Sequence, residues 1–191
     1  MYVPLPINSL KAALGCVADR HEPRTALKGV LIDINGETTL KIVATTGQVL
    51  FVAHESLDNV APIGQIIIPA EAVKQALKHV KRDNYLVLQS TPAPNEYRLG
   101  SLCFNPIDGP YPNYVPVIPS VVSGEPGQFD PNLLLMAWKA MVTVGSSRPH
   151  FHFNGTQGAA VYVSSDVQAL ALVMPWVSPD IPAYPSTPSW I

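Results

Sequence analysis

Residues Gly29 to Glu55 read GVLIDINGETTLKIVATTGQVLFVAHE. With Lys28 ahead of it, the segment gives three strand-like apolar runs, KGVLIDI beginning at Lys28, TTLKIVAT beginning at Thr38, and VLFVAH beginning at Val49. Asn35-Gly36 supplies a hairpin turn between the first two. The second connection, Thr45 to Gln48, holds two threonines and a glycine and no charge. A catalytic loop would normally supply a nucleophile, a base or a ligand; this one supplies a tight turn between apolar strands.

Outward from this segment the same local order recurs three times. Ahead of it, VPLPI leads into NSLKAALGCVADR, where Asn8 or Ser9 is placed to cap a helix whose apolar positions are Leu10, Ala13, Leu14 and Val17. After it, QIIIP leads into AEAVKQALKHVKR, with Ala72, Val73, Ala76, Leu77 and Val80 on one stripe. The strands NYLVLQS and EYRLGSLCF follow, separated by a proline-rich turn at Thr91 to Asn95. A third run, Pro112 to Ile118, is short and broken by proline, so it reads as an edge strand or an extended connector. From Gly127 the order starts again: Asp130 caps PNLLLMAWKAMVTV with Pro131 in the first turn, and RPHFHFNG, AAVYVSS and QALALVMPW follow as strands.

The expected fold class is α+β, built from repeated strand–helix–three-strand modules with helices layered on antiparallel sheet. Two modules form a complete domain over residues 1–120, and the third forms a half-domain over 124–178. The remainder, 179–191, has proline at positions 179, 182, 185 and 188 and suits an extended segment, free, lying on the surface, or docked through Trp190-Ile191. An odd module count leaves the third without a partner, which points to a homo-oligomer; packing of that module against the other two in a monomer is the alternative.

Composition narrows the function. The chain has 191 residues, 47 % of them apolar, a net charge of -2 and 12 basic residues, so no global field attracts nucleic acid and any DNA contact depends on local distribution. Cys16 and Cys103 read as buried thiols rather than a disulfide framework. No export signal or membrane span is evident, and a cytoplasmic location is the default expectation. The sequence has no phosphate-binding loop of the G-x-x-x-x-G-K-[ST] or G-x-G-x-x-G type. His150 and His152 share a strand face without a third ligand, and Asp19, Asp33 and Glu37 form no paired-carboxylate arrangement. A noncatalytic protein without cofactor or metal is expected.

Three segments carry a resemblance to the bacterial replicative sliding clamp family, the beta subunit of DNA polymerase III. Gly29 to Glu55 is similar to the clamp's middle domain, including its A-T-D-G-x-x-L turn, but with Thr46 at the acidic position and Gln48-Val49 where a His-Arg pair is common. YPNYVPVIP, Tyr111 to Pro119, resembles the F-P-D-Y-x-x-V-[IL]-P connection that closes that domain. ALALVMPW, Ala169 to Trp176, resembles the Y-V-V-M-P-M strand that ends the clamp. The resemblance extends from Leu5 to Trp176, matching the second domain and the latter half of the third. It implies a processivity factor that encircles duplex DNA, with helices lining the hole, and that docks a DNA polymerase or other clamp-binding peptide proteins.

The family's ring holds twelve such modules, so three per chain would need a tetramer; the resemblance also implies an ATP-driven clamp loader as partner. Sliding requires cations that neutralise phosphate without reading bases. Lys74, Lys78 and Lys81 share a helical face, Arg82 extends it, and Lys11 and Lys139 are candidates for the same surface, with Arg20, Arg24 and Arg148 near helix ends. By similarity the partner groove falls on Thr45, Gly47, Gln48, Val49, Leu50, Pro112, Val117, Val173, Met174, Pro175 and Trp176. A clamp-derived protein that binds replication partners without encircling DNA is the competing reading, and a shortened form fits a phage or plasmid source as well as a chromosome.

Overall fold

The computed structural model describes residues 1–36, 38–57, 61–80 and 83–177. The chain opens with strand β1 (Tyr2–Pro6), helix α1 (Ile7–Leu14), and strands β2 (Gly29–Gly36), β3 (Thr39–Thr45) and β4 (Val49–Ser56). The order then repeats as β5 (Gly64–Pro69), α2 (Ala70–Lys78), β6 (Tyr85–Ser90), β7 (Tyr97–Leu99) and β8 (Leu102–Phe104). A third run supplies α3 (Pro131–Val144), β9 (His150–His152), β10 (Ala160–Val163) and β11 (Ala169–Val173). The fold is α+β, with helices packed on antiparallel sheets.

The first two modules interlock by exchanging their leading strands. β5 joins β2 in antiparallel register from Gly29↔Pro69 to Ile34↔Gly64, and β1 joins β6 from Tyr2↔Gln89 to Pro6↔Tyr85. The third module is joined within the chain: β11 pairs with β4 from Ala169↔Ala53 to Val173↔Val49, and α3 packs beside α1. The resulting sheets run β1-β6-β7-β8 and β5-β2-β3-β4-β11-β10-β9. An odd module count therefore does not leave the third module unpacked, because its last strand meets the last strand of the first.

Strand alternation divides the larger sheet into two apolar faces. Val30, Ile32, Ile42, Ala44, Val49, Phe51, Ala171 and Val173 face the helices together with Leu10, Ala13, Ala137 and Met141. Leu31, Val43, Leu50, Val52, Val161 and Leu172 face the other way and are covered by Ala26, Leu27, Tyr111 and Tyr114 from connecting segments. A strand buried on both faces reads as a continuous apolar run, which is why VLFVA shows no polar alternation.

Several local expectations are corrected. α1 starts at Ile7 with Pro6 at its N-cap, and Ser9 lies inside the helix, where its hydroxyl donates to Glu55 Oε1 at 2.5 Å. EYRLGSLCF is two strands, because Gly100 turns the chain at φ +61° and Leu99 pairs with Leu102. The second module thus completes its three strands by Phe104, and Pro112 to Ile118 is a connector containing a short 3-10 turn at Val115–Val117. Cys103 is exposed on β8, whereas Cys16 is buried, its thiol pushed up to about 12 by desolvation. Asp130 does cap α3, accepting from Asn132 N at 2.8 Å, and Gly145 ends the helix at φ +116°.

Candidate partner groove and nucleic-acid face

The turn that opens the sequence is held by its own threonines. Thr45 Oγ1 donates to Val49 O at 2.7 Å and accepts from Gly47 N at 2.9 Å. Thr46 Oγ1 accepts from Val49 N at 3.0 Å, and Gly47 takes φ +92°, where an L side chain is strained. The absence of charge is explained: both hydroxyls are occupied by backbone, which leaves the turn as a rigid wall. Met174 N donates to Gln48 O at 2.8 Å, fastening the end of the third module to this turn.

Between them lies an apolar cavity of about 180 Å³ on the sheet face opposite the helices. Thr45, Gly47, Gln48, Val49, Leu50, Pro112, Val117 and Met174 line it. Pro175 and Trp176 stand outside it, lining an adjoining recess of about 390 Å³ with Asp130 and Leu133; Gln48 and Met174 border both. Val173 is not brought to the wall. It is fully buried under the helices, and its neighbour Leu172, one step out of phase on the strand, takes the place.

Leu27, Asn113, Tyr114 and Arg24 complete the lining and were missed from sequence. Tyr114 lies inside the quoted YPNYVPVIP motif, so a signal for it was present; Leu27 and Arg24, in the loop after α1, carried none. Arg24, assigned from sequence to the DNA side, belongs to the groove rim, where its Nε meets Glu22 Oε1 at 2.6 Å. Tyr114 donates its hydroxyl to Asp33 Oδ2 at 2.7 Å, pinning the connector to β2. Burial first, and Asp33 second, push the Tyr114 phenol up from its ordinary value, so it stays a donor.

Tyr111 anchors the other end of the connector. Its ring is buried and its hydroxyl has no hydrogen-bond partner among the described residues. Removing a buried unpaired hydroxyl is close to neutral or favourable. Tyr111→Phe is therefore expected to hold stability level or raise it by up to about 1 kcal/mol in urea unfolding; a loss of that size contradicts the geometry.

On the opposite face, Lys11, Lys74, Lys78 and Lys139 are exposed on the three helices, with α1 in contact with both α2 and α3. Glu71 reaches Lys74 at 4.0 Å and offsets part of that charge. Lys81 and Arg82 lie outside the described residues, as does the tail 179–191. Among the described residues no group of three metal-ligating side chains occurs, and no helix is long and apolar enough to cross a membrane.

No family model and no curated protein matches the sequence. Solved structures do match the fold. The DNA polymerase III beta chain of Streptococcus pneumoniae superposes with a TM-score of 0.76 at 15 % identity, over 93 % of this chain and 65 % of that one. The beta subunit from Pseudomonas aeruginosa gives 0.73 at 15 % identity, over 93 % and 67 %. A Helicobacter pylori beta clamp bound to a DNA ligase peptide gives 0.73 at 13 % identity, over 92 % and 65 %. The chain spans about two thirds of the length of these proteins. The chain thus has the fold of the bacterial sliding clamps over about two thirds of their length.

Proposed function

We propose that the chain is a sliding-clamp-like, noncatalytic processivity factor that surrounds duplex DNA as a homo-oligomer and docks a polymerase or another replication protein through the groove. The observation that carries this reading is the separation of two surfaces by one sheet. Helices bearing Lys11, Lys74, Lys78 and Lys139 lie on one face, and the apolar groove of Leu27, Leu50, Tyr114, Leu172 and Met174 lies on the other. A protein that holds DNA on one side and a partner on the other needs that separation. The few cations fit a contact that is weak and screened by salt. The peptide on the Helicobacter pylori clamp is the model for what the groove accepts. A clamp loader would be needed to place a closed ring on circular DNA, and three modules per chain fit a tetramer of twelve.

Retention on DNA of different topology tests the reading. Protein loaded on nicked circular duplex is expected to stay through a high-salt wash and to leave after one restriction cut. Equal retention on circular and linear DNA would sink encirclement and favour a non-encircling clamp-derived protein that binds replication partners.

A further inference from the structure

The seven-stranded sheet is one strand short of two-fold symmetry about the β4–β11 seam. On one side the order is β4, β3, β2, β5, and on the other it is β11, β10, β9 with no further strand among the described residues. The extra strand on the first side, β5, is the leading strand of the second module, which receives β1 in return. Beyond β9 no described residue supplies a leading strand. The chain ahead of α3 reaches back to the end of β9 instead: Gly124 N donates to Phe153 O at 3.0 Å and Gly155 N to Glu125 O at 2.8 Å.

Helix α3 has the same deficit. Lys139 is its one charged residue; Ala137, Ala140 and Met141 are buried, while Leu135, Trp138 and Val142 are 46, 44 and 41 % exposed. These three fall at i, i+3 and i+7, on one stripe. α2, by contrast, turns Glu71, Lys74, Gln75 and Lys78 to solvent. An exposed apolar stripe of this kind belongs against a covering surface.

We infer that a second copy of this chain covers that face, third module against third module, in the way the first module lies against the second. The pairing is isologous. An antiparallel α3 pair centred between Trp138 and Lys139 sets Leu135 opposite Val142 of the partner subunit. It also lays the Lys139 stem along Trp138 of the partner subunit with the ammonium directed to the open helix face, which keeps the two like charges apart. A stable pair takes roughly 800 Å² from each copy. Three side chains fall short of that, so the contact continues over Phe153 and the β9 edge, where a strand from the other copy adds backbone hydrogen bonds to the established ladder.

A consequence for symmetry follows, which rests on the tetrameric reading above; the α3 contact itself does not. β8, the last strand of the second module, also stands at the edge of its sheet, and last strands pair with last strands at the β4–β11 seam. Like then meets like at both ends, so four copies close through two alternating kinds of two-fold contact rather than a four-fold.

Light scattering behind size exclusion, over a roughly hundredfold range of concentration, tests the contact by mass action. The wild type is expected to hold an even number of chains, Trp138→Phe to keep that number, and Trp138→Glu to halve it. Val142→Lys gives an independent reading should the first variant lose its folded circular-dichroism signal. A mass unaltered in both charged variants overturns the contact, as does a wild type monomeric throughout. A two-chain wild type made monomeric by Trp138→Glu keeps the contact and sinks the tetramer. Four chains unmoved by either charged variant do the reverse.

Discussion

Phe51→Ala is expected to lower the unfolding free energy by about 3–5 kcal/mol, seen as a lower urea midpoint. Phe51 is fully buried on the helix face of β4. Its cross-strand neighbours are Ala44 on β3 and Ala171 on β11, so one large side chain fills the space that two small ones leave. Neither alanine can extend into the vacated volume, and the cost falls toward the upper end of the range. Such a loss is a large part of the ~5–15 kcal/mol that holds a typical domain folded. Because Phe51 stands at the seam between the first and third modules, the damage also loosens the attachment of the third. A loss below about 1 kcal/mol would mean that α1 and α3 close over the gap, contrary to the packing described.

Met174→Ala is expected to weaken binding of a DNA ligase peptide, of the kind carried by the Helicobacter pylori clamp, roughly three- to sevenfold in fluorescence anisotropy. Met174 borders both the groove and the adjoining recess, and it is 38 % exposed, so a peptide crossing from one to the other would cover it. Burying a methionine side chain completely contributes about 1.5–3 kcal/mol, and the 38 % still exposed here scales that to about 0.6–1.1 kcal/mol, a factor of roughly three to seven. Truncation at this position leaves the core intact, unlike Leu172, which is 1 % exposed and holds the sheet face together. Equal affinities for wild type and variant would count against the groove as the peptide site.

Most of the architecture was legible because it rests on short-range signals. The helices at α2 and α3 followed from apolar stripes and, for α3, from Asp130 and Pro131 at the start. The β2–β3–β4 meander followed from three apolar runs punctuated by glycine. The Gly100 turn was missed because Gly100-Ser101 interrupts the run EYRLGSLCF without proline or asparagine. The β4–β11 pairing joins segments more than a hundred residues apart, and no local property of VLFVA states which edge will meet it. In the groove, Val173 and Leu172 exchanged roles because both are apolar and both are buried. Only the register against β4 decides which faces the helices. Arg24 went to the wrong side for a related reason: a cation after a helix carries no mark of the sheet face on which its loop will lie.

The seam has a mechanical meaning as well. Seven strands hydrogen-bonded in one ladder, backed by α1 lying between α2 and α3, leave no hinge between the first module and the third. Bending there would shear an entire row of backbone bonds together, whereas separating two chains breaks only the side-chain and edge-strand contacts between them. In a closed assembly of the kind proposed above, the compliant places are therefore its subunit boundaries.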